Sequence, residues 1–415
     1  MKAHRLVLTG VLLLAACGGR EAPADREGRV EGAIREAKGT GARLIGRDRA
    51  DGAMSPEEIR ERRRDSSWRR LGSFQAAGTP LRSASPRPES ALRVAFRAPE
   101  AFDESLEQVD WEALENRPVT VPIRGDVSGP SVLRAQLMLD RANFAPGVVD
   151  GHWGKNSEIA TYWFQRSHGL EATGEIDEGT WRRLAAAGPG RPALTRYRVS
   201  AGDLQGPFTE VPDEVYDQAE LDCLCYESPL ELLSEKFHTT PETLVLLNPG
   251  VDFGALRAGT AILVPDVDRE RGTLGDPARI VVSVEGNYLH AIDSAGEIVM
   301  HAPATVGSEY DPSPDETLKI VGIARDPTFH YQPKLFHEVP DTEPEAILPP
   351  GPNSPVGVVW MELSRDNYGI HGTSDPGSIG YASSHGCIRL TNWTARQLGD
   401  HARAGTVVDF VDQRG

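Results

Sequence analysis

The spacing of the apolar residues changes once along this chain, and that change limits the possible folds more than any other feature. Within 119–188, apolar side chains such as Val132, Leu133 and Leu137 recur at near-helical spacing, which predicts short amphipathic helices. From Ala278 onward the period is two, in RIVVSV, YLHAID and IVMHAPATVG, which predicts strands joined by glycine-containing turns. The predicted fold class is therefore multidomain α+β, with a helical bundle ahead of a β-rich domain.

The helical region divides at recognisable start and stop residues. One helix is predicted over SVLRAQLMLDRANF, a second from a cap at Asn156 to a stop at Gly169, and a third from a cap at Asp177 to a stop at Gly188. A further helix is predicted near the C-terminus, over 393–404. Three short helices joined by glycine-rich turns form a small bundle.

The first residues have the pattern of a secretion signal. A cationic start is followed by an apolar run that ends at Ala16 and is too short to span a bilayer. LAAC, ending at Cys17, resembles the bacterial lipobox, which implies a signal peptide over 1–17, lipidation of Cys17 and attachment to a membrane through the lipid. Gly18 is typical of sorting to the outer membrane. The alternative is an ordinary signal peptide with a chance cysteine.

Residues 18–118 are polar, charged and without a periodic apolar face, so they are predicted to form a mostly disordered linker. The formal net charge of −17 and the pI near 5.2 argue against nucleic acid as a partner, because nucleic-acid-binding proteins present a basic face.

The cysteine count singles out one thiol. The chain has 4 cysteines, and if Cys17 is lipidated then three remain in an oxidising compartment. Cys223 and Cys225 either close a small ring or remain two thiols, and the sequence leaves both alternatives open. An odd number leaves at least one thiol, which makes Cys387 the candidate for chemistry.

Three interpretations of Cys387 can be weighed. A zinc site with His371 and His385 is disfavoured, because His385 and Cys387 stand only two residues apart, and we predict no metal and no cofactor. A buried apolar cysteine does not account for its small and polar neighbours, which are Ser384, His385, Gly386 and Arg389. Nucleophilic catalysis remains.

The chemistry of a nucleophile fits these residue types. An unperturbed thiol has a pKa of about 8.5 and an imidazole one of about 6.5, so a nearby histidine can take the thiol proton or stabilise the thiolate. Gly386 lets backbone N–H groups approach a developing oxyanion. Arg389 lies on the same side as Cys387 if the segment is extended, where it could bind a carboxylate.

The segment IHGTSDPGSIGYASSHGCIRLTN resembles the signature of the YkuD-type L,D-transpeptidase catalytic domain, and the resemblance extends over 277–412. The family usually has glycine where Glu316 stands, a turn outside the catalytic residues. The resemblance implies that Cys387 attacks the carbonyl of the L-centre of diaminopimelate in a tetrapeptide stem, expels D-Ala and forms a thioester. It also implies that His371 is the general base, held by a backbone carbonyl such as that of Gly372.

For the remaining residues, the resemblance implies that His385 and Gly386 shape the nucleophile loop and supply oxyanion donors, and that Arg389 and Ser384 bind the donor stem. An amine on a second stem or on an outer-membrane protein then takes the acyl group. Two alternatives stay open. Water could resolve the thioester, as in a carboxypeptidase or an endopeptidase that detaches wall-linked proteins, or the protein could be a non-catalytic tether.

Two upstream regions resemble wall-binding modules. GVVDGHWGKNSEIATYWFQRSHGLEATGEIDEGTWRRL, within 119–188, resembles the three-helix peptidoglycan-binding domain, with Ser157 where that family usually has threonine. Residues 195–266 resemble a LysM module with a strand–helix–helix–strand order, interrupted by an acidic insertion over 203–227. Glycan binding and a structural spacer role are both open for this segment. Together these resemblances predict peptidoglycan stems and glycan strands as partners and a periplasmic, lipid-anchored location in the bacterial envelope.

Overall fold

The computed structural model describes residues 104–106, 109–187, 190–267, 274–308, 312–336 and 339–411. The predicted signal peptide, Cys17 and most of the predicted linker lie outside the described residues, as does the predicted helix stop at Gly188. Within the described part of the chain, no helix is both long enough and apolar enough to cross a membrane.

The end of the predicted linker is ordered, which corrects the prediction that order begins near residue 119. A short 3₁₀ helix, Trp111–Asn116, begins at Asp110, whose side chain accepts a hydrogen bond from the Ala113 N–H. Trp111 and Leu114 are buried in the same apolar cluster as Leu133 and Leu194. Burial of these apolar side chains offsets the entropy of ordering the segment.

Three α-helices follow in the region that resembles the peptidoglycan-binding domain: α1 (Pro130–Arg141), α2 (Lys155–Ser167) and α3 (Glu178–Ala187). The predicted cap at Asp177 is confirmed, since its Oδ1 accepts from the Thr180 N–H at 2.7 Å. The predicted cap at Asn156 is wrong. Helix α2 already begins at Lys155, so Asn156 lies inside it, and its side chain donates to the carbonyl of Ile379 at 2.9 Å.

The next segment has two paired strands around three helices: β1 (Leu194–Arg198), α4 (Val215–Gln218), α5 (Pro229–Lys236), α6 (Pro241–Leu247) and β2 (Ala261–Pro265). Strands β1 and β2 are antiparallel. Helices α5 and α6 each begin with proline after a hydroxyl cap, Ser228 and Thr240, which is a favourable start because proline lacks the N–H that would have no partner there.

The acidic insertion in this segment carries a disulfide between Cys223 and Cys225, which settles the alternative left open by the sequence. Leu224, between the two cysteines, is 0% exposed. Its N–H donates to the carbonyl of Pro350, and its own carbonyl accepts from the Asn353 N–H. The insertion is therefore fixed to the β-rich domain by backbone hydrogen bonds.

The β-rich domain contains ten strands within the described residues: β3 (Arg279–Ser283), β4 (Tyr288–Ile292), β5 (Ile298–Pro303), β6 (Leu318–Arg325), β7 (Phe329–Tyr331), β8 (Ala346–Leu348), β9 (Val359–Leu363), β10 (Gly369–His371), β11 (Ile388–Arg389) and β12 (Val407–Val411). Eight form one sheet in the order β11-β10-β9-β6-β12-β3-β4-β5, and β7 pairs with β8 apart from it. Only β10/β11 and β12/β3 are parallel pairs in this sheet.

The two edges of the sheet meet. Thr305, just after β5, pairs with Arg389 of β11 through two backbone hydrogen bonds of 2.9 and 3.0 Å. Helix α7 (Asn392–His401) packs against β9 and ends earlier than predicted, with Ala402 as its C-cap. The core between sheet and helix is apolar, with fully buried Leu289, Ile370, Ile388 and Leu398 among its members.

Candidate active site

Cys387 lies on the bend that leads into β11, and the side chains around it alternate in exposure. His385, Cys387 and Arg389 are partly exposed, whereas Gly386 and Ile388 between them are buried. Because alternating residues of an extended segment face opposite sides, Cys387 and Arg389, which flank buried Ile388 at the entry to β11, lie on the same side. The Sγ of Cys387 lies 3.5 Å from the carbonyl oxygen of Asn367.

Gly386 holds a backbone conformation and a position that exclude a side chain. Its φ is +103°, a region that glycine adopts readily, and a Cβ at this position would lie 2.7 Å from a ring carbon of Tyr368. The Gly386 carbonyl accepts from the hydroxyl of Ser313 at 3.4 Å. The residue before the candidate nucleophile is therefore limited to glycine by its surroundings.

Ser384, predicted to bind substrate, is 3% exposed and makes hydrogen bonds within the nucleophile loop. Its hydroxyl donates to the Cys387 carbonyl at 2.5 Å and accepts from the Gly386 N–H at 3.2 Å. The hydroxyl therefore donates one hydrogen bond and accepts one inside the loop, and a contact of Ser384 with the donor stem stays a prediction. The Gly386 N–H, predicted as an oxyanion donor, is directed at Ser384 in this structure.

His371 ends β10 and is 4% exposed. Its Nδ1 lies 2.7 Å from the carbonyl oxygen of Gly372, the contact that the resemblance implies. A carbonyl can only accept, so Nδ1 carries the hydrogen and Nε2 carries the lone pair. The ring stacks on Trp360, with the centroids 5.3 Å apart. The imidazole is thus held in the tautomer that a base requires.

The strands that carry these two residues are direct neighbours. Strands β10 and β11 are parallel, with Ile370 opposite Ile388 and His371 opposite Arg389. The Leu390 N–H donates to the His371 carbonyl at 2.8 Å. This pairing places the end of β10, at His371, directly opposite Arg389, two residues after Cys387.

His385 packs against a different part of the domain. The edge of its ring faces Phe336, with the ring centroids 5.0 Å apart. Phe336 follows the short 3₁₀ helix Pro333–Leu335 in the connection between β7 and β8. That connection therefore borders the nucleophile loop.

Sequence reasoning missed two side chains at this site, Trp360 and Asn392. Asn392 is the last residue of the quoted motif, in IRLTN, so its position in the motif could have marked it as a site residue. Its contacts could not be predicted, because they depend on distant residues. Among the residues that the structure describes, no group of three or more histidine, cysteine, aspartate or glutamate side chains is placed to hold a metal ion.

Comparison with known proteins gives two family matches. The L,D-transpeptidase catalytic domain family (YkuD) matches residues 277–410, and a peptidoglycan-binding domain family matches residues 128–184. The chain is similar to a protein of Bacillus licheniformis named as L,D-transpeptidase YkuD, with 32% identity over 44% of this chain and 93% of the relative.

Other relatives match a smaller share of their own length. The Escherichia coli protein named as probable L,D-transpeptidase YbiS is 29% identical over 45% of this chain and 60% of the relative. The solved structure titled L,D-transpeptidase from Mycobacterium smegmatis is 19% identical, covers 37% of this chain and 64% of that chain, and has a TM-score of 0.27.

The sheet pairs β10, which ends at His371, with β11, which directly follows Cys387. A domain with this arrangement is suited to thiol-based acyl transfer. The chain belongs to the YkuD-type L,D-transpeptidase family, and it also contains a peptidoglycan-binding domain.

Proposed function

We propose that this protein is a peptidoglycan L,D-transpeptidase in which Cys387 is the nucleophile and His371 the general base. The observation that carries the proposal is the state of His371. Its Nδ1–H is held by the Gly372 carbonyl at 2.7 Å, on a strand paired with β11, so in the neutral ring Nε2 is the nitrogen that carries the basic lone pair. A base whose tautomer is fixed by a neighbouring carbonyl is the usual partner of a catalytic thiol.

The first half-reaction transfers the acyl group to the enzyme. Nε2 of His371 takes the thiol proton, and Sγ of Cys387 attacks the carbonyl of the L-centre of diaminopimelate in a tetrapeptide stem. The C–S bond forms as the C–N bond to the terminal D-Ala breaks. The imidazolium returns the proton to the leaving amine, so D-Ala departs and a thioester remains.

The second half-reaction transfers the acyl group to an amine. The acceptor nitrogen attacks the thioester carbonyl, and its proton passes to His371. The C–S bond breaks, and the thiolate of Cys387 recovers that proton. Trp360 lies against the imidazole at 5.3 Å, a position in which an aromatic ring stabilises the charged form that both halves pass through.

Arg389 is proposed to bind the carboxylate or backbone of the donor stem, since it is partly exposed on the same side as Cys387. His385 and Gly386 shape the loop, and the Gly386 N–H is proposed as an oxyanion donor. To serve there, it must leave the Ser384 hydroxyl, and its 3.2 Å bond lies at the long limit for an N–H···O contact.

The upstream regions support a wall-directed, membrane-anchored enzyme. We infer that the peptidoglycan-binding domain over 119–188 brings the catalytic domain to glycan strands or stems, and that 195–266 is a LysM-like module. The strand–helix–helix–strand order of its main elements supports this. The lipobox supports lipidation at Cys17, a signal peptide over 1–17 and a periplasmic location at the outer membrane.

The test is incubation of the full chain with purified tetrapeptide muropeptides, followed by mass analysis of the products. We expect dimers linked between two diaminopimelate residues, together with released D-Ala. Cys387→Ala should lower product formation by at least about 10³-fold, because removal of a nucleophile removes the covalent route. Cys223→Ser/Cys225→Ser is the matched control and should retain activity.

Other products would redirect the proposal. Shortened stems without dimers would mean that water resolves the thioester, and peptide released from a wall-linked protein would mean an endopeptidase. Full activity in Cys387→Ala would overturn the assignment of the nucleophile.

A further inference from the structure

Asn392 connects the segment after His371 to the start of β9, the strand paired with β10. It is the first residue of α7 and is 3% exposed. Its Oδ1 accepts from the backbone N–H of Val358 at 3.3 Å and from that of Thr373 at 3.2 Å. One amide oxygen therefore fixes the entry to β9 and the residue that follows His371-Gly372.

Two glycines make room for this amide. A Cβ at Gly357 or at Gly372 would overlap Asn392 Oδ1, and Gly357 has a φ of +58°. Gly372 is also the residue whose carbonyl holds Nδ1 of His371. The Asn392 side chain is thus packed against the very peptide that orients the imidazole.

The other end of the amide faces the segment that resembles a LysM module. Asn392 Nδ2 donates to both carboxylate oxygens of Glu235, at 3.1 and 3.2 Å, and to the carbonyl of Pro352 at 3.0 Å. Glu235 lies on α5, and its Oε2 also accepts from the hydroxyl of Tyr226 at 3.2 Å. A carboxylate can only accept, so it sets which end of the amide carries the NH₂ group.

We propose that Glu235 is a positioning residue for the transpeptidase reaction, because it orients Asn392 and through it the Gly372 peptide that holds His371. The inference rests on the proposed role of His371 as base. It makes the segment over 195–266 part of the structural support of the active site, in addition to any glycan contact. The positioning role of Glu235 adds no residue that contacts the substrate.

The protonation state of Glu235 gives this arrangement a pH dependence. Burial, and to a lesser extent nearby Glu231, raises the pKa of Glu235 to about 7, while hydrogen bonds from Asn392 and Tyr226 and the charge of Arg396 act in the opposite direction. The carboxylate, which accepts from Asn392 through both oxygens, is therefore present above about pH 7 and is lost as the pH falls through that value. The hydrogen bonding between Glu235 and Asn392 therefore weakens as the pH falls below about 7.

The experiment uses the full chain and steady-state cross-linking of muropeptides. We expect Glu235→Ala to lower kcat by about 10-fold with KM changed by less than about 2-fold, because small misplacements of a base reduce the rate more than they reduce binding. Glu235→Gln keeps an acceptor oxygen for Asn392 and should recover most of that loss. Glu242→Ala, on the exposed face of α6, is the matched control and should behave like the unaltered chain.

Two readouts separate positioning from a merely structural role. The acid limb of the kcat–pH profile should shift in Glu235→Gln, and so should the pH dependence of Cys387 alkylation by iodoacetamide, whereas Glu242→Ala should leave both unchanged. In Asn392→Ala, the further change Glu235→Ala should add no loss of kcat, because both residues act through one contact.

The results distinguish this inference from the proposed function. Profiles that superimpose in all variants, with kcat retained in Glu235→Ala, would overturn the positioning role while leaving the transpeptidase assignment intact. No cross-linked product from the unaltered chain would instead contradict the proposed function itself.

Discussion

The two modules upstream of the catalytic domain pack against it through different chemistry. The peptidoglycan-binding domain makes aromatic contacts: the ring of Trp163 lies 4.5 Å from that of His290, and Phe144 stacks on His301 at 6.4 Å. The segment over 195–266 combines the apolar packing of Leu224 with hydrogen bonds from carboxylates, Glu235 with Asn392 and Glu231 with Asn353.

These two kinds of contact should affect two different properties of the protein, its stability and its catalytic rate. Apolar contact area contributes free energy roughly in proportion to the surface buried, with little directional demand. A charge-assisted hydrogen bond contributes less area but fixes the orientation of one group. We therefore expect changes at the aromatic interface to act on unfolding, and changes at Glu235 to act on turnover.

The largest expected effect on stability follows from removing the aromatic contact. Trp163→Ala leaves a cavity among Tyr288, His290 and the helices, so it should lower the free energy of unfolding by about 4 kcal/mol. Urea denaturation followed by circular dichroism measures this loss. Trp163→Phe, which keeps an aromatic ring, should lose much less, and equal stability of all three proteins would show that the interface contributes nothing.

Leu224 tests the same contrast within the segment over 195–266. Its side chain is buried in apolar packing, whereas Glu235 and Glu231 of that segment make hydrogen bonds. Leu224 is fully buried among Val211, Tyr331 and Leu348. Leu224→Ala should lower the free energy of unfolding by about 3 kcal/mol. Val245→Ala, at an exposed apolar position in the same module, is the control and should change little. A loss at Val245 equal to that at Leu224 would contradict the anchoring role.

The aromatic interface should also weaken in acid. His301 is 0% exposed, and burial lowers its pKa to about 3, while burial and the neighbouring His301 lower the pKa of His290. The unfolded chain binds these protons first, so stability is lost as the pH falls below about 6.5. Between pH 7 and pH 5, His301 alone should account for about 2 kcal/mol.

Urea midpoints at the two pH values, compared between the unaltered chain and His301→Phe, measure this dependence. The phenylalanine variant should lose part of it, because it has no group to protonate at that position. An identical pH dependence in both proteins would assign the acid sensitivity to other groups.

The smallest expected effect belongs to the disulfide of the insertion. Cys223 and Cys225 are separated by only 2 positions, so the closed loop is short and restrains the unfolded chain weakly. Cys223→Ser/Cys225→Ser should lower the free energy of unfolding by about 1.5 kcal/mol. A loss as large as that of Leu224→Ala would mean that the bridge, rather than the packing of Leu224, fixes the insertion.

The catalytic motif could be predicted from sequence because its chemistry is local. His371, Gly372, His385, Gly386 and Cys387 all fall within one quoted stretch, and the parallel pairing of β10 with β11 brings its two ends together. The alternating pattern from residue 278 onward likewise predicted strands β3, β4 and β5. Short-range patterns of this kind are what a single sequence expresses most clearly.

The features that were missed depend on distant residues. Glu235 and Asn392 are 157 positions apart, and although Asn392 lies in the quoted motif, nothing local indicates that it contacts Glu235. Asn156 looked like a helix cap, but tertiary structure directs its amide to Ile379 instead. Trp111 and Leu114 stood in a charged region with no periodicity, and only the surface they pack against orders them. The hydrogen bond from the Ser384 hydroxyl to the Cys387 carbonyl was likewise not predicted, because it depends on the bend of the loop.

The most direct measurement is covalent trapping of the nucleophile. The full chain is incubated with a carbapenem, and intact-mass spectrometry with peptide mapping locates the adduct. A thiol activated by His371 should give one adduct per chain on Cys387, formed at least about 10²-fold more slowly in His371→Ala and absent from Cys387→Ala. An adduct of equal yield in Cys387→Ala, or no adduct on an unaltered chain that cross-links muropeptides, would contradict the assignment of Cys387 as nucleophile.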